Sequence, residues 1–162
     1  MKVLFVCYAN IGRSQTAMAL YNHWTKTDSA NSAGTGVYET NPEQQTLGEV
    51  ERLGHHRPST LTALSEKFGI DASDFARHQL TPEMLSQYDL VVNIADREQT
   101  PDWFRGDNVI WWQVLDLGPR FTEERLWQNY EMLVDKVKRL IDLEKSGGDI
   151  HELDDNIDEE QD

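Results

Sequence analysis

Two rhythms of apolar positions run along the chain. Short, nearly continuous runs occur at Lys2–Val6 (KVLFV), Asp89–Ile94 (DLVVNI) and Asn108–Val114 (NVIWWQV), the pattern of strands buried on both faces of a parallel sheet. A shorter strand is predicted over Ser29–Ala33, ending in the turn-prone Gly34-Thr35-Gly36. Between these runs the spacing changes to three and four. Ala17, Leu20, Tyr21 and Trp24 form one apolar stripe; Leu126, Tyr130, Leu133, Val137 and Leu140 form another behind the cap sequence Thr122-Glu123-Glu124. Two further helices are predicted, one from Asn41-Pro42-Glu43 through Leu47, Val50 and Leu53 to Gly54, one from Pro58 through Leu61, Leu64 and Phe68 to Gly69. Thr81-Pro82-Glu83 opens a short helix.

Strands separated by helices pair in parallel through right-handed crossovers. The order predicts an α/β three-layer sandwich built on a four-stranded parallel sheet, with neither an internal repeat nor a second domain in residues 1–145. In such sheets ligands bind beyond the carboxyl ends of the strands, at helix N-termini. The loop Cys7-Tyr8-Ala9-Asn10-Ile11-Gly12-Arg13-Ser14 occupies that place after the first strand.

The loop's residues fit an oxyanion cradle. Backbone N–H groups of Tyr8, Ala9, Asn10, Ile11 and Gly12 can converge on one tetrahedral anion beside the helix dipole, with Asn10 tolerating left-handed geometry and Gly12 allowing a tight turn. Arg13 offers a planar fork to two oxygens of a phosphate or sulfate. That positive field favours the Cys7 thiolate as nucleophile, and Ser14 can hydrogen-bond its sulfur. A cysteine closing an apolar strand is ordinarily a small buried hydrophobe. Arginine six positions on, followed by Ser or Thr, arises by chance about once in 150 trials. No GKS or GKT follows the strand, so an ATP-type phosphate loop is excluded.

Composition narrows the setting. The chain has 162 residues, 38% hydrophobic, and a net charge of −14. From Asp142 to Asp162 ten acids and one lysine give −9, leaving −5 for everything before. Residues 146–162 read as an acidic, disordered tail. Nucleic acid and anionic membranes need clustered Lys and Arg and are not expected partners. No apolar run reaches the ~18 residues of a membrane span, MKVLFVCYANIG lacks the features of a signal peptide, and Cys7 is the lone cysteine, so a reducing cytoplasm is expected. His55-His56 are adjacent and His23, His78 and His151 isolated, so no metal site is expected.

VCYANIGRSQ and Ser32-Ala33-Gly34-Thr35, with weaker matches at Phe68-Gly69-Ile70-Asp71, Gln79-Leu80-Thr81-Pro82 and the YDLVV strand, resemble the low-molecular-weight protein tyrosine phosphatases and their arsenate-reductase relatives. The resemblance reaches to about Leu143. It implies cofactor-free hydrolysis of a phosphorylated protein or small aryl phosphate through a cysteinyl-phosphate on Cys7, with Arg13 binding phosphate and Asp116 as general acid and base. Asp116 is followed by Leu117-Gly118-Pro119 rather than directly by proline; Asp96 is the second candidate acid, although its spacing suits a helix cap. Gln15 after Arg-Ser is similar to the reductases, and residues 41–56 look like an inserted helix. Cleft aromatics are offered by Phe121, Tyr8 and Tyr38. Two rival functions stay open: arsenate reduction with an external low-molecular-weight thiol, and a phosphate-binding module without turnover.

Overall fold

The computed structural model describes residues 1–43, 45–53, 60–114 and 122–155, with Glu123 and Leu126 described by backbone alone. Strand β1 (Val3–Cys7) leads into helix α1 (Arg13–Thr25) and strand β2 (Ala30–Gly34). Helices α2 (Leu47–Leu53) and α3 (Thr60–Phe68) follow, then β3 (Leu90–Asn93), β4 (Val109–Trp111) and the long α4 (Glu123–Ser146). The sheet has the order β2-β1-β3-β4 and every pairing is parallel. The α/β class and the four parallel strands agree with the sequence pattern; the β3–β4 connection carries only the 3-10 turn Arg97–Gln99.

This order decides where chemistry can sit. The chain leaves β1 for β2 on one side and later returns to β3 on the other, so β1 and β3 flank the point where the winding reverses. Crossovers diverge there and open a crevice at the carboxyl end of β1, which is Cys7. The two faces of the sheet are filled differently. Val3, Phe5, Val92 and Ile110 pack with Leu20 and Tyr21 of α1, Leu64 of α3 and Leu133, Val137 and Leu140 of α4. Leu4, Val6, Val91 and Trp111 pack instead with Leu80, Met84, Leu85, Tyr88 and Phe104. The third layer is therefore thin: the helix expected after Thr81 is a 3-10 turn, Pro82–Gln87.

Two other elements depart from the sequence pattern. The helix expected from Asn41 begins at Leu47. Asn41 is left-handed, with φ 49°, and so cannot begin a helix as a cap. Thr46 takes that part, its Oγ1 accepting the Glu49 N–H and donating to Glu49 Oε1, both at 3.2 Å. The predicted stop at Gly54, His55-His56 and the start at Pro58 lie outside the described residues, whereas the stop at Gly69 is left-handed, with φ 66°.

The segment after Ser146 is not wholly a disordered tail. Gly147 closes α4 at φ 71°, and Ile150–Leu153 form a 3-10 turn. Asp154 and Asp155 then dock on the exposed edge of β4. Trp111 N–H donates to Asp154 Oδ1 at 3.0 Å, Asp155 N–H donates to the Trp111 carbonyl at 2.9 Å, and Gln113 N–H donates to Asp155 Oδ2 at 2.7 Å. Lys136 of α4 pairs with the same carboxylate at 2.8 Å. The strap satisfies backbone groups that an edge strand otherwise leaves open to other chains. Deleting residues 149–162 is expected to lower stability by about 1–3 kcal/mol, from several hydrogen bonds each worth about 1 kcal/mol. Urea unfolding midpoints of the full and shortened chains measure it; equal midpoints refute it. Residues 156–162 lie outside the described residues. Among the described residues no helix is long and apolar enough to cross a membrane.

Candidate active site

Cys7 ends β1 and is nearly buried, 3% exposed, with its Sγ 2.9 Å from Ser14 Oγ. Asn10 Nδ2 donates to the same Ser14 oxygen at 2.8 Å. With Cys7 as thiolate, the Ser14 hydroxyl is the donor of the Cys7–Ser14 pair, and the bond from Asn10 leaves its single hydrogen available for that sulfur. Asn10 itself is fully buried and left-handed, with φ 55°, as its residue type allows. Its Oδ1 accepts the His78 N–H at 2.8 Å, so the crossover before β3 fixes the orientation of its side chain.

The direction of the loop's N–H groups follows from what holds its carbonyls. Arg77 donates to the Ala9 carbonyl from Nε at 3.1 Å and Nη2 at 2.9 Å. Gln15 Nε2 donates to the Asn10 carbonyl at 3.1 Å, and Thr60 Oγ1 donates to the Ile11 carbonyl at 3.0 Å. In a planar trans peptide the N–H points opposite to the C=O. Three successive carbonyls are thus occupied by outside partners, and the N–H groups of Asn10, Ile11 and Gly12 face away from those partners. None of these three N–H groups donates to another group among the described residues. Gly12, at the N-cap of α1, makes no side-chain capping bond. A run of open N–H groups at a helix N-terminus is an anion-binding concavity.

The glycine that this geometry requires is not the expected one. Gly12 has φ −100°, and a Cβ there would meet only Thr60 Oγ1 at 3.8 Å, so the loop does not need glycine at that place. Gly34 of β2 does need it. A Cβ there would lie 2.4 Å from the Tyr8 carbonyl and 2.9 Å from Asn10 N, so only glycine lets β2 run beneath the loop.

Arg13, 9% exposed, reaches across the strand ends. Its Nη1 donates to the carbonyl of Ile94, past β3, at 2.6 Å and to that of Val114, past β4, at 3.0 Å. Asp96 Oδ1 lies 3.6 Å from the same nitrogen. Asp96 also caps the turn Arg97–Gln99 in a reciprocal pair with Gln99, the structural part its spacing suggested. Asp116 and Phe121 lie outside the described residues; Val114 is the last residue described before them. Tyr8 donates its hydroxyl to Glu39 Oε2 at 2.9 Å, and that carboxylate holds the phenol above its ordinary pKa. Tyr38 is 74% exposed, on the turn that also carries Glu39. No group of three or more His, Cys, Asp or Glu placed to hold a metal occurs among the described residues.

Sequence reading missed Arg77, which is 4% exposed and lies under the loop. Burial lowers its pKa while the negative charge of Cys7 and then of Glu43 opposes that shift. No periodicity or spacing marks this residue, because its partners are up to 68 positions away. Gln15, read from sequence as a reductase feature, is fully buried and bonds the Asn10 and Ala76 carbonyls.

Comparisons with known proteins bear on the fold and the family. The structure resembles that of a low molecular weight protein tyrosine phosphatase from T. tengcongensis, with 27% identity, a TM-score of 0.61, and coverage of 88% of this chain and 98% of that one. A low molecular weight phosphotyrosine phosphatase from Vibrio cholerae O395 is 19% identical, with TM-score 0.65 over 92% of this chain and 99% of that chain. A thioredoxin-dependent arsenate reductase from Corynebacterium glutamicum is 23% identical, TM-score 0.59, covering 87% of this chain but only 60% of the reductase. A search of curated proteins finds no match. The family model described as low molecular weight phosphotyrosine protein phosphatase matches residues 2–102, the span holding Cys7, Arg13 and the strands that carry them, and the chain belongs to that family.

Proposed function

We propose that the chain hydrolyses phosphomonoesters of the phosphotyrosine type through a covalent phosphate on Cys7. The observation that carries this reading is the sulfur of Cys7, set 2.9 Å from the Ser14 hydroxyl at the base of a loop whose Asn10, Ile11 and Gly12 N–H groups are turned away from their carbonyls' partners. The Cys7 thiolate attacks phosphorus as the bond to the ester oxygen breaks. Loop N–H groups and the Arg13 guanidinium stabilise the equatorial oxygens, where charge is spread in the transition state. Asp116 gives its proton to the departing oxygen. It then takes a proton from the water that cleaves the S–P bond, releasing inorganic phosphate and restoring the thiolate. Ser14 donates to the sulfur and eases its departure. A lone reactive thiol of this kind needs a reducing compartment, which favours the cytoplasm.

The substrates that suit the cradle are phosphorylated proteins or small aryl phosphates. At −14 the chain repels anions at long range, so recognition acts through local contacts within about 10 Å at ordinary salt. Release of para-nitrophenol from para-nitrophenyl phosphate between pH 5 and 8 tests the reading. Phosphate binding without turnover would leave a binding module or a reductase.

The reductase is the second reading, favoured by Gln15 beside the loop. Cys7 is the only cysteine of the chain, so electrons from the protein itself cannot follow its attack on arsenate. An external low-molecular-weight thiol has to supply them. Arsenite formed in proportion to added thiol supports that reading, and none across several thiols ends it.

A further inference from the structure

We propose that Arg77 is a positioning residue for the phosphate cradle: its guanidinium clamps the Ala9 carbonyl from behind, fixing the Asn10 N–H toward the anion and setting a permanent positive charge beneath the loop. The proposal rests on the phosphatase reading for its substrate and on the described contacts for its geometry.

The clamp is unusually complete. Nε and Nη2 both reach the Ala9 carbonyl, Nη2 also reaches the Thr40 carbonyl at 2.7 Å and Thr40 Oγ1 at 2.9 Å, and Nη1 reaches the Asn41 carbonyl at 3.0 Å. These acceptors are neutral oxygens, and the negative charges of Cys7 and Glu43 act on the group as well. A buried cation solvated by carbonyl dipoles keeps its field, and in a poorly polarisable interior that field acts on nearby anions. A guanidinium stays protonated despite burial, so the charge persists across the working pH range. The Ala9 carbonyl it clamps lies two residues after Cys7, on the same loop as the nucleophile.

The fork geometry matters as much as the charge. One planar group spans the middle of the loop and residues 40–41, where the segment before α2 begins. Backbone bonds on both sides hold the same strip. Arg77 N–H donates to the Gln45 carbonyl at 2.8 Å, and the neighbouring His78 donates to Asn10. Lysine, with a single nitrogen on a flexible stem, cannot reach these carbonyls at once. Removing the clamp frees the Ala9–Asn10 peptide to rotate and costs the cradle one fixed donor.

Arg77→Met and Arg77→Lys are compared with wild type and with Leu133→Ala, a core substitution in α4 that lowers stability and removes no hydrogen bond of the loop. Three quantities are read: the dissociation constant of inorganic phosphate, turnover of para-nitrophenyl phosphate, and the rate of Cys7 alkylation by iodoacetamide at pH 7. Arg77→Met is expected to weaken phosphate binding at least about tenfold and to lower kcat by about 100-fold, the effect of losing one oriented donor. Alkylation slows as well. Arg77→Lys keeps alkylation within about threefold of wild type but still weakens phosphate at least about fivefold, which separates charge from fork. Leu133→Ala binds phosphate as wild type does. Phosphate affinity within twofold of wild type in folded Arg77→Met overturns the proposal, and if that variant fails to fold, the same result in Arg77→Lys does so. A wild type that binds phosphate without turning over the ester defeats the phosphatase reading alone; one that binds no phosphate defeats both.

Discussion

Cys7→Ser is expected to lower turnover of para-nitrophenyl phosphate by at least about 10^4-fold while inorganic phosphate still binds within about threefold of wild type. The magnitude is that of removing a nucleophile from a site whose other parts stay in place. The substitution is nearly isosteric, so β1 still ends under the loop, and the three carbonyl anchors from Arg77, Gln15 and Thr60 are untouched. What changes is ionisation. A thiol is by nature far more acidic than a hydroxyl, and a hydroxyl beside Ser14 has no base to take its proton. Retained phosphate affinity is the informative half, because it shows that the cradle survives. A variant that still turns over the ester would move the nucleophile elsewhere and end the cysteinyl-phosphate mechanism. One that loses both activity and phosphate would assign the sulfur to building the loop rather than to attacking phosphorus.

How much of this site was legible in the sequence depends on the range of the contacts. The strand, the loop and the helix after it are contiguous, so Cys7, Asn10, Arg13 and Ser14 could be placed from spacing and residue type alone. Asn10 in the left-handed region and Ser14 beside the sulfur bear out that local reading. Arg77 could not be found in this way, since only the closure of the β2–β3 crossover brings it beneath Ala9. Gly12 and Gly34 show the same limit from the other side. A glycine inside the loop suggests a tight turn, but the steric demand comes from β2 passing under Tyr8 and Asn10, a contact between strands.

The other differences have equally physical causes. Asn41-Pro42-Glu43 is a good helix start in isolation, yet the Asn41 carbonyl is taken by Arg77 and its backbone is left-handed. Thr46, with Glu49 three residues on, was present in the sequence and is the better signal, because its hydroxyl satisfies a backbone donor at the helix end itself. For the acidic C-terminal segment, composition averages over residues, and an average cannot register that Asp154 and Asp155 meet backbone donors at the edge of β4 and a lysine on α4. Two well-placed carboxylates order a stretch that its charge alone would leave unfolded. The strap also bonds Gln113, next to the Val114 carbonyl that holds Arg13, so the β4 edge is supported from outside where Arg13 is held from within.

Asp116→Asn is expected to lower kcat for para-nitrophenyl phosphate by about 100-fold or more, the usual contribution of a general acid, and Asp96→Asn by much less. The two carboxylates differ in what they already do. Asp96 is engaged as the cap of the turn Arg97–Gln99 and sits 3.6 Å from Arg13, a placement that steadies the guanidinium. A carboxylate held as a turn cap beside a cation serves as that cation's electrostatic partner. Asp116 follows Val114 by two positions, on the segment leaving the carbonyl that Arg13 binds. The leaving group separates the roles further. Para-nitrophenolate departs with little help, whereas phenolate is far more basic and depends on the acid, so the loss on Asp116→Asn should be larger with phenyl phosphate. Loss that is equal for both esters, together with a steep drop in Asp96→Asn, would transfer the acid to Asp96. Neither substitution should weaken inorganic phosphate more than about threefold, because the cradle donors are backbone N–H groups and Arg13, and a fall beyond that would mean the carboxylate shapes the loop instead of moving the proton.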